Sequence, residues 1–202
     1  QGIEPAEEPA EEPDDTNEPD DTNEPEDTSE DPVDPNAIDC ARSYQGEYPQ
    51  MSDLSCGTAW LMEGVPTLGT TQGGSSYFDE GVYAGGSSEW HCMAIPRGGY
   101  YSNERAYLFT HPGDNRYCSV YLESPCADLD LISIRYNPYT SSPPTCPEAE
   151  MLNIDCQVST TAGPGFDEEI DYLFENNQTM YMFIVDAPQP TEAWFRITVE
   201  CE

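Results

Sequence analysis

The chain has 202 residues, 40 of them acidic and 6 basic, and carries a formal net charge of −34. Such a charge excludes nucleic acid and anionic lipid as partners, because both are held by clustered cations. All six basic residues are arginine (Arg42, Arg97, Arg105, Arg116, Arg135 and Arg196) and no lysine occurs, which removes Schiff-base chemistry and the lysine of phosphate-binding loops.

Residues 1–39 contain 17 acids, 7 prolines and no aromatic residue, with Ile3, Val33 and Ile38 as the only large aliphatics. A segment so poor in apolar surface cannot offset the entropy of ordering, and its prolines and like charges favour an extended, polyproline-like chain. Two "EPAE" units are followed by the hexapeptides "EPDDTN", "EPDDTN" and "EPEDTS". Six residues are two polyproline II turns, so Thr16, Thr22 and Thr28 fall on one face about 19 Å apart. Aligned hydroxyls are candidate sites for O-linked sugar, and Asn177 in "NQT" is a candidate N-linked site.

Residues 40–65, "CARSYQGEYPQMSDLSCGTAWLMEGV", read as a cysteine-containing connecting segment. Eight cysteines (Cys40, Cys56, Cys92, Cys118, Cys126, Cys146, Cys156 and Cys201) include no C-x-x-C pair, which suits disulfides in an oxidising compartment better than a zinc site. Nearness in sequence suggests Cys40 with Cys56 and Cys146 with Cys156. The chain shows no initiator methionine, export signal or apolar run of membrane-spanning length. It is expected to be an extracellular or cell-surface protein, bacterial, left after an export signal is removed.

From residue 66 to 202 short apolar runs alternate with turns. Strands are expected at "RAYLFTH" (105–111), "CSVYLES" (118–124), "DLDLISIRY" (128–136), "TMYMFIVDA" (179–187) and "WFRITVEC" (194–201), where Phe195, Ile197, Val199 and Cys201 alternate with Trp194, Arg196, Thr198 and Glu200. "HPGDN", "NPYTSSPP", "TAGPGFDEE" and "DAPQPTE" supply turn chemistry between them. Many short strands with Gly and Pro turns predict an antiparallel β-sandwich.

The order of "RAYLFTHPGDNRYCSVYLESPCADLDLISIRYN", "GFDEEIDYLFENNQTMYMFIVDA" and "AWFRITVEC" resembles the bacterial pre-peptidase C-terminal domain, over roughly residues 66–202. The resemblance implies a jelly-roll-like, non-catalytic sandwich of the kind attached to secreted peptidases or surface proteins, some of which bind collagen or calcium.

Catalytic sets are not evident. His91 and His111 lack ligand or triad spacing and are expected to be structural, and "GGSSY" and "GGSSE" do not form a G-x-S-x-G elbow. Calcium is the candidate cofactor. Asp128 and Asp130 lie two apart on an expected strand, and Asp167, Glu168, Glu169 and Asp171 cluster in an expected loop, offering hard oxygen ligands. The competing reading has Asp128 and Asp130 satisfying backbone groups or pairing with arginine. Trp90, Tyr100 and Tyr101 are candidates for an aromatic platform that meets sugar rings or a neighbouring subunit.

Two functions are expected, neither enzymatic. One is a self-assembling structural subunit of a filament or surface layer, in which "NAIDCARSY" (36–44) completes the sheet of another copy. The other is a binding or adhesion module for polysaccharide or protein, carried on an acidic spacer.

Overall fold

The computed structural model describes residues 37–46, 59–78, 100, 102–136 and 155–202. The acidic repeats with Thr16, Thr22 and Thr28 lie outside these, as do Cys56, Trp90, His91, Cys92, Tyr101 and Cys146. The described residues all fall within one compact unit, residues 35–202.

Every regular element among the described residues is a strand: β1 (Ala59–Trp60), β2 (Thr67–Thr70), β3 (Arg105–His111), β4 (Arg116–Glu123), β5 (Asp130–Tyr136), β6 (Asp155–Ser159), β7 (Glu168–Glu175), β8 (Thr179–Asp186) and β9 (Trp194–Cys201). They form a five-stranded sheet in the order β1-β3-β8-β5-β6 and a four-stranded sheet in the order β2-β9-β4-β7. All pairings are antiparallel except that of β1 with β3. The protein is therefore an all-β sandwich.

Period-two alternation builds the core between the sheets. Tyr107, Phe109, Leu131, Phe183 and Val185 of one sheet meet Val120, Leu122, Ile170, Leu173, Phe195, Ile197 and Val199 of the other. The outer face of the five-stranded sheet carries a second apolar cluster, in which Ala106, Leu108, Ile132, Ile134, Met182 and Ile184 pack under Phe78 and Tyr100. Burial on both faces explains why "TMYMFIVD" reads as a nearly continuous apolar run.

Three expectations need correction. Cys40 is bonded to Cys126, not to Cys56. The segment around Cys40 packs back on the sandwich, where the Trp194 indole N–H donates to the Arg42 carbonyl at 2.6 Å, so fold proximity overrides sequence proximity. Cys118 is bonded to Cys201, its register partner across β4 and β9. Cys156 is also disulfide-bonded, to a cysteine outside the described residues. Residues 59–65 belong to the sandwich rather than to a connector, since β1 pairs with β3, Leu61 enters the core and Glu63 bridges Val199.

The third correction concerns residues 168–171, which form strand β7 rather than a loop. Its pattern is obscured because β7 carries a bulge: Cys118 faces Leu173 but Val120 faces Ile170, so Asp171 and Tyr172 together oppose Ser119. Tyr172 takes φ 61° there. The extra residue shifts the alternation by one, sending Leu173 and Glu175 inward and both Tyr172 and Phe174 outward.

Candidate binding face

The acids expected to gather around calcium are dispersed. The Asp128 carboxylate accepts the Gly163 backbone N–H at 2.7 Å, and buried Asp130 accepts the Tyr100 hydroxyl. Glu168 points inward from β7 and accepts the Thr161 N–H at 2.7 Å and the Ser159 hydroxyl. Glu169 and Asp171 point outward, and Asp167 is exposed before the strand begins. Strand alternation thus splits the set, and among the described residues no group of three or more His, Cys, Asp or Glu side chains is arranged to hold a metal ion.

Tyr100 is likewise not a surface platform. It is buried, and its hydroxyl is held far above its usual range by burial and by the hydrogen bond to Asp130. His111 is buried at the end of β3, where Nδ1 accepts the Gly113 N–H at 3.0 Å and Nε2–H donates to the Leu173 carbonyl at 2.9 Å. Burial lowers its pKa, and the neutral ring serves as a structural clip. Asn177 is exposed in the turn between β7 and β8, with its carbonyl accepting the Thr179 hydroxyl at 3.1 Å.

A row of buried carboxyls crosses the outer face of the five-stranded sheet. Asp130 of β5 faces Asp186 of β8, and the register of β3 places Glu104 beside Asp186 on the other side. All three are buried. Glu104 Oε1 accepts the backbone N–H groups of Tyr77 and Phe78, the latter at 3.2 Å, and so clasps the segment that covers this face. Its Oε2 is buried without a hydrogen-bond partner. Burial, with Asp186 alongside, pushes Glu104 up to about 8, and burial pushes Asp130 up to about 6. Each is sealed beneath the covering segment rather than open to a substrate.

Among the described residues, the outer face of the four-stranded sheet carries a cluster of exposed aromatic rings. At one end Tyr117 of β4 is 50% exposed, and Tyr172 and Phe174 of β7 are 73% and 42% exposed. The Tyr117 ring lies 4.7 Å from Phe174 and 6.2 Å from Tyr172, the latter pair nearly perpendicular at 85°. Alternation places Glu169, Asp171, Glu200 and Glu202 on the same side. Asp171 accepts the Ser119 hydroxyl at 3.0 Å. The Glu169 carboxyl hydrogen-bonds Asp171, a contact between two acids that raises the Glu169 pKa, while the Tyr121 hydroxyl bonds Glu169. Arg196, also on this side, forms an ion pair with Glu123. Sequence reasoning missed these rings because the bulge that exposes Tyr172 hides their phase; the signal available was "YLF" following three acids in "DEEIDYLFE".

At the far end of the same face Trp194 is covered by the chain's own segment. The Arg42 guanidinium stands 4.6 Å above its ring and Tyr44 meets it edge-on at 6.1 Å. Trp194 is therefore buried despite its outward position in the alternation. No protein-family model and no curated protein matches the chain.

Proposed function

We propose that the chain is a non-enzymatic, extracytoplasmic binding module that attaches to its partner through the outer face of the four-stranded sheet, with the acidic repeats as a spacer. The observation that carries this reading is the cluster of Tyr117, Tyr172 and Phe174, three adjoining rings left in solvent on a sheet whose inner face is fully packed. Grouped exposed aromatics mark interaction surfaces, whereas single ones do not. The left-handed backbone of Tyr172 adds support, since this strained conformation holds a ring that stays 73% exposed and gains little from burial.

Two disulfides joining residues more than 80 positions apart accord with an oxidising environment, and among the described residues no helix is long and apolar enough to cross a membrane. The likeness to pre-peptidase C-terminal domains agrees with a non-catalytic role and rests on the residues alone. The self-assembling subunit has less support. Residues Cys40, Arg42 and Tyr44, from the segment suited to strand donation, are bound within their own chain.

The test is surface plasmon resonance on a panel of cell-envelope polysaccharides and proteins, with sedimentation to follow the oligomeric state. The expected result is a monomer with saturable binding, lost in Tyr117→Ala/Phe174→Ala with thermal unfolding little changed. Undiminished binding by that variant, or ordered polymers as the wild-type species, contradicts the reading.

A further inference from the structure

Resting on the binding face just described, we infer that the partner is cationic: an arginine-bearing protein segment that lays its guanidinium groups over Tyr117, Tyr172 and Phe174 and pairs them with the carboxylates alongside. Three features of the face point to this chemistry.

The first is charge complementarity. Glu169, Asp171, Glu200 and Glu202 share the outward side with the three rings, while the arginines described on this side are engaged, Arg196 with Glu123 and Arg42 with Trp194. A neutral ligand would leave these charges uncompensated as it displaced their water, whereas a guanidinium offers planar donors that match carboxylate geometry. The second is the placement of Glu169 and Asp171, two residues apart on the outward side of β7 and next to the strained Tyr172. A guanidinium set between them pairs with both carboxylates at once. The third lies at the other end of the face. There the chain seats an arginine of its own, Arg42, over the Trp194 ring, while the Arg42 backbone carbonyl accepts the indole N–H. An arginine-bearing segment seated on an aromatic of this sheet is thus already part of the fold, at the opposite end of the face from the exposed rings. Cation–π contact with Tyr and Phe follows the same geometry, with the cation within about 6 Å of the ring centroid.

A chain of net charge −34 attracts any polycation, so the experiment separates the face from the diffuse field. The full chain is titrated against a fluorescent arginine–glycine repeat peptide by anisotropy at low and physiological salt. Tyr172→Gly, Phe174→Ala and Glu169→Gln/Asp171→Asn are compared with Glu7→Gln/Glu8→Gln, which removes the same two charges from the repeats. The expected result is about tenfold weaker binding for each face variant, in line with a cation–π or ion-pair contact, and less than about twofold for the control. Equal losses in the face and control carboxylate variants overturn the inference in favour of non-specific attraction. Failure to bind the peptide, with aromatic-dependent binding to a neutral glucan, overturns the cationic partner and leaves the binding face standing. Wild-type affinity in every aromatic variant overturns both.

Discussion

At the scale of single residues the buried carboxyls set the pH response. Glu104 and Asp130 have pKa values raised in the folded state, to about 8 and about 6, so the folded protein holds protons that the unfolded chain gives up. Their contribution is complete below the unfolded pKa values and is lost as pH rises through the folded ones. Asp128, Asp186 and Glu168 add negative charge around the Tyr100–Asp130 pair and strengthen the effect. Glu175 works in the opposite direction. Burial alone would raise its pKa, but hydrogen bonds from Arg135 and Tyr181 outweigh burial and lower it, so its contribution is lost as pH falls through its folded pKa. Chemical denaturation should therefore find maximum stability on the acid side of neutrality, declining as pH rises by up to about 1.4 kcal/mol per pH unit for each group, Asp130 contributing to roughly pH 6 and Glu104 to roughly pH 8. Glu104→Gln should flatten that decline. A stability maximum above pH 8, or an unchanged slope in Glu104→Gln, would show that Glu104 is ionised in the fold.

At the scale of elements, close approach and bulge geometry decide which substitutions matter. Gly69 of edge strand β2 faces the core, where an added Cβ would come within 2.2 Å of the Tyr107 hydroxyl and 2.7 Å of the Phe195 ring. Gly69→Ala should cost about 1–3 kcal/mol, read as a lower denaturation midpoint at unchanged slope. Tyr172→Gly should behave differently. Glycine accepts φ 61° without the Cβ penalty, so stability should hold or rise slightly while binding falls. A large loss of stability would mean that the Tyr172 ring is needed for packing.

The same scale explains what the sequence made legible. Strands β3, β4, β5, β8 and β9 were readable because each buries at least one face against a whole sheet, leaving the period or a dense apolar run on the surface of the sequence. "HPGDN" was legible as a turn, and Gly113, Asp114 and Asn115 all take positive φ, the residue types that tolerate it. β7 was not, because a bulge breaks its alternation and three acids open it. β1 and β2 are too short for a period to show. Among the site residues, Tyr100 misled for a tertiary reason: it stands in "GGYYSN", which shows no strand period, yet it folds down over Asp130 on a sheet face whose covering only the fold reveals.

At the scale of the molecule, long-range cross-links hold together a chain under strong self-repulsion. Cys40–Cys126 and Cys118–Cys201 close loops of 86 and 83 residues. Replacing Cys118 and Cys201 together by serine should cost about 2–4 kcal/mol, with partial recovery in salt as the charges are screened. An unchanged melting temperature would contradict that.

The binding face itself is tested most directly by oxidative footprinting of the full chain, free and bound to whichever polymer or peptide it holds most tightly. Trp60, Met62 and Phe166 serve as internal controls, since they are about as exposed as the proposed contact residues but belong to β1, to the loop after it and to the loop before β7. Tyr117, Tyr172 and Phe174 are expected to become protected on binding while the three controls stay reactive. Protection confined to Trp60 and Met62, or no change at Tyr172, would contradict it.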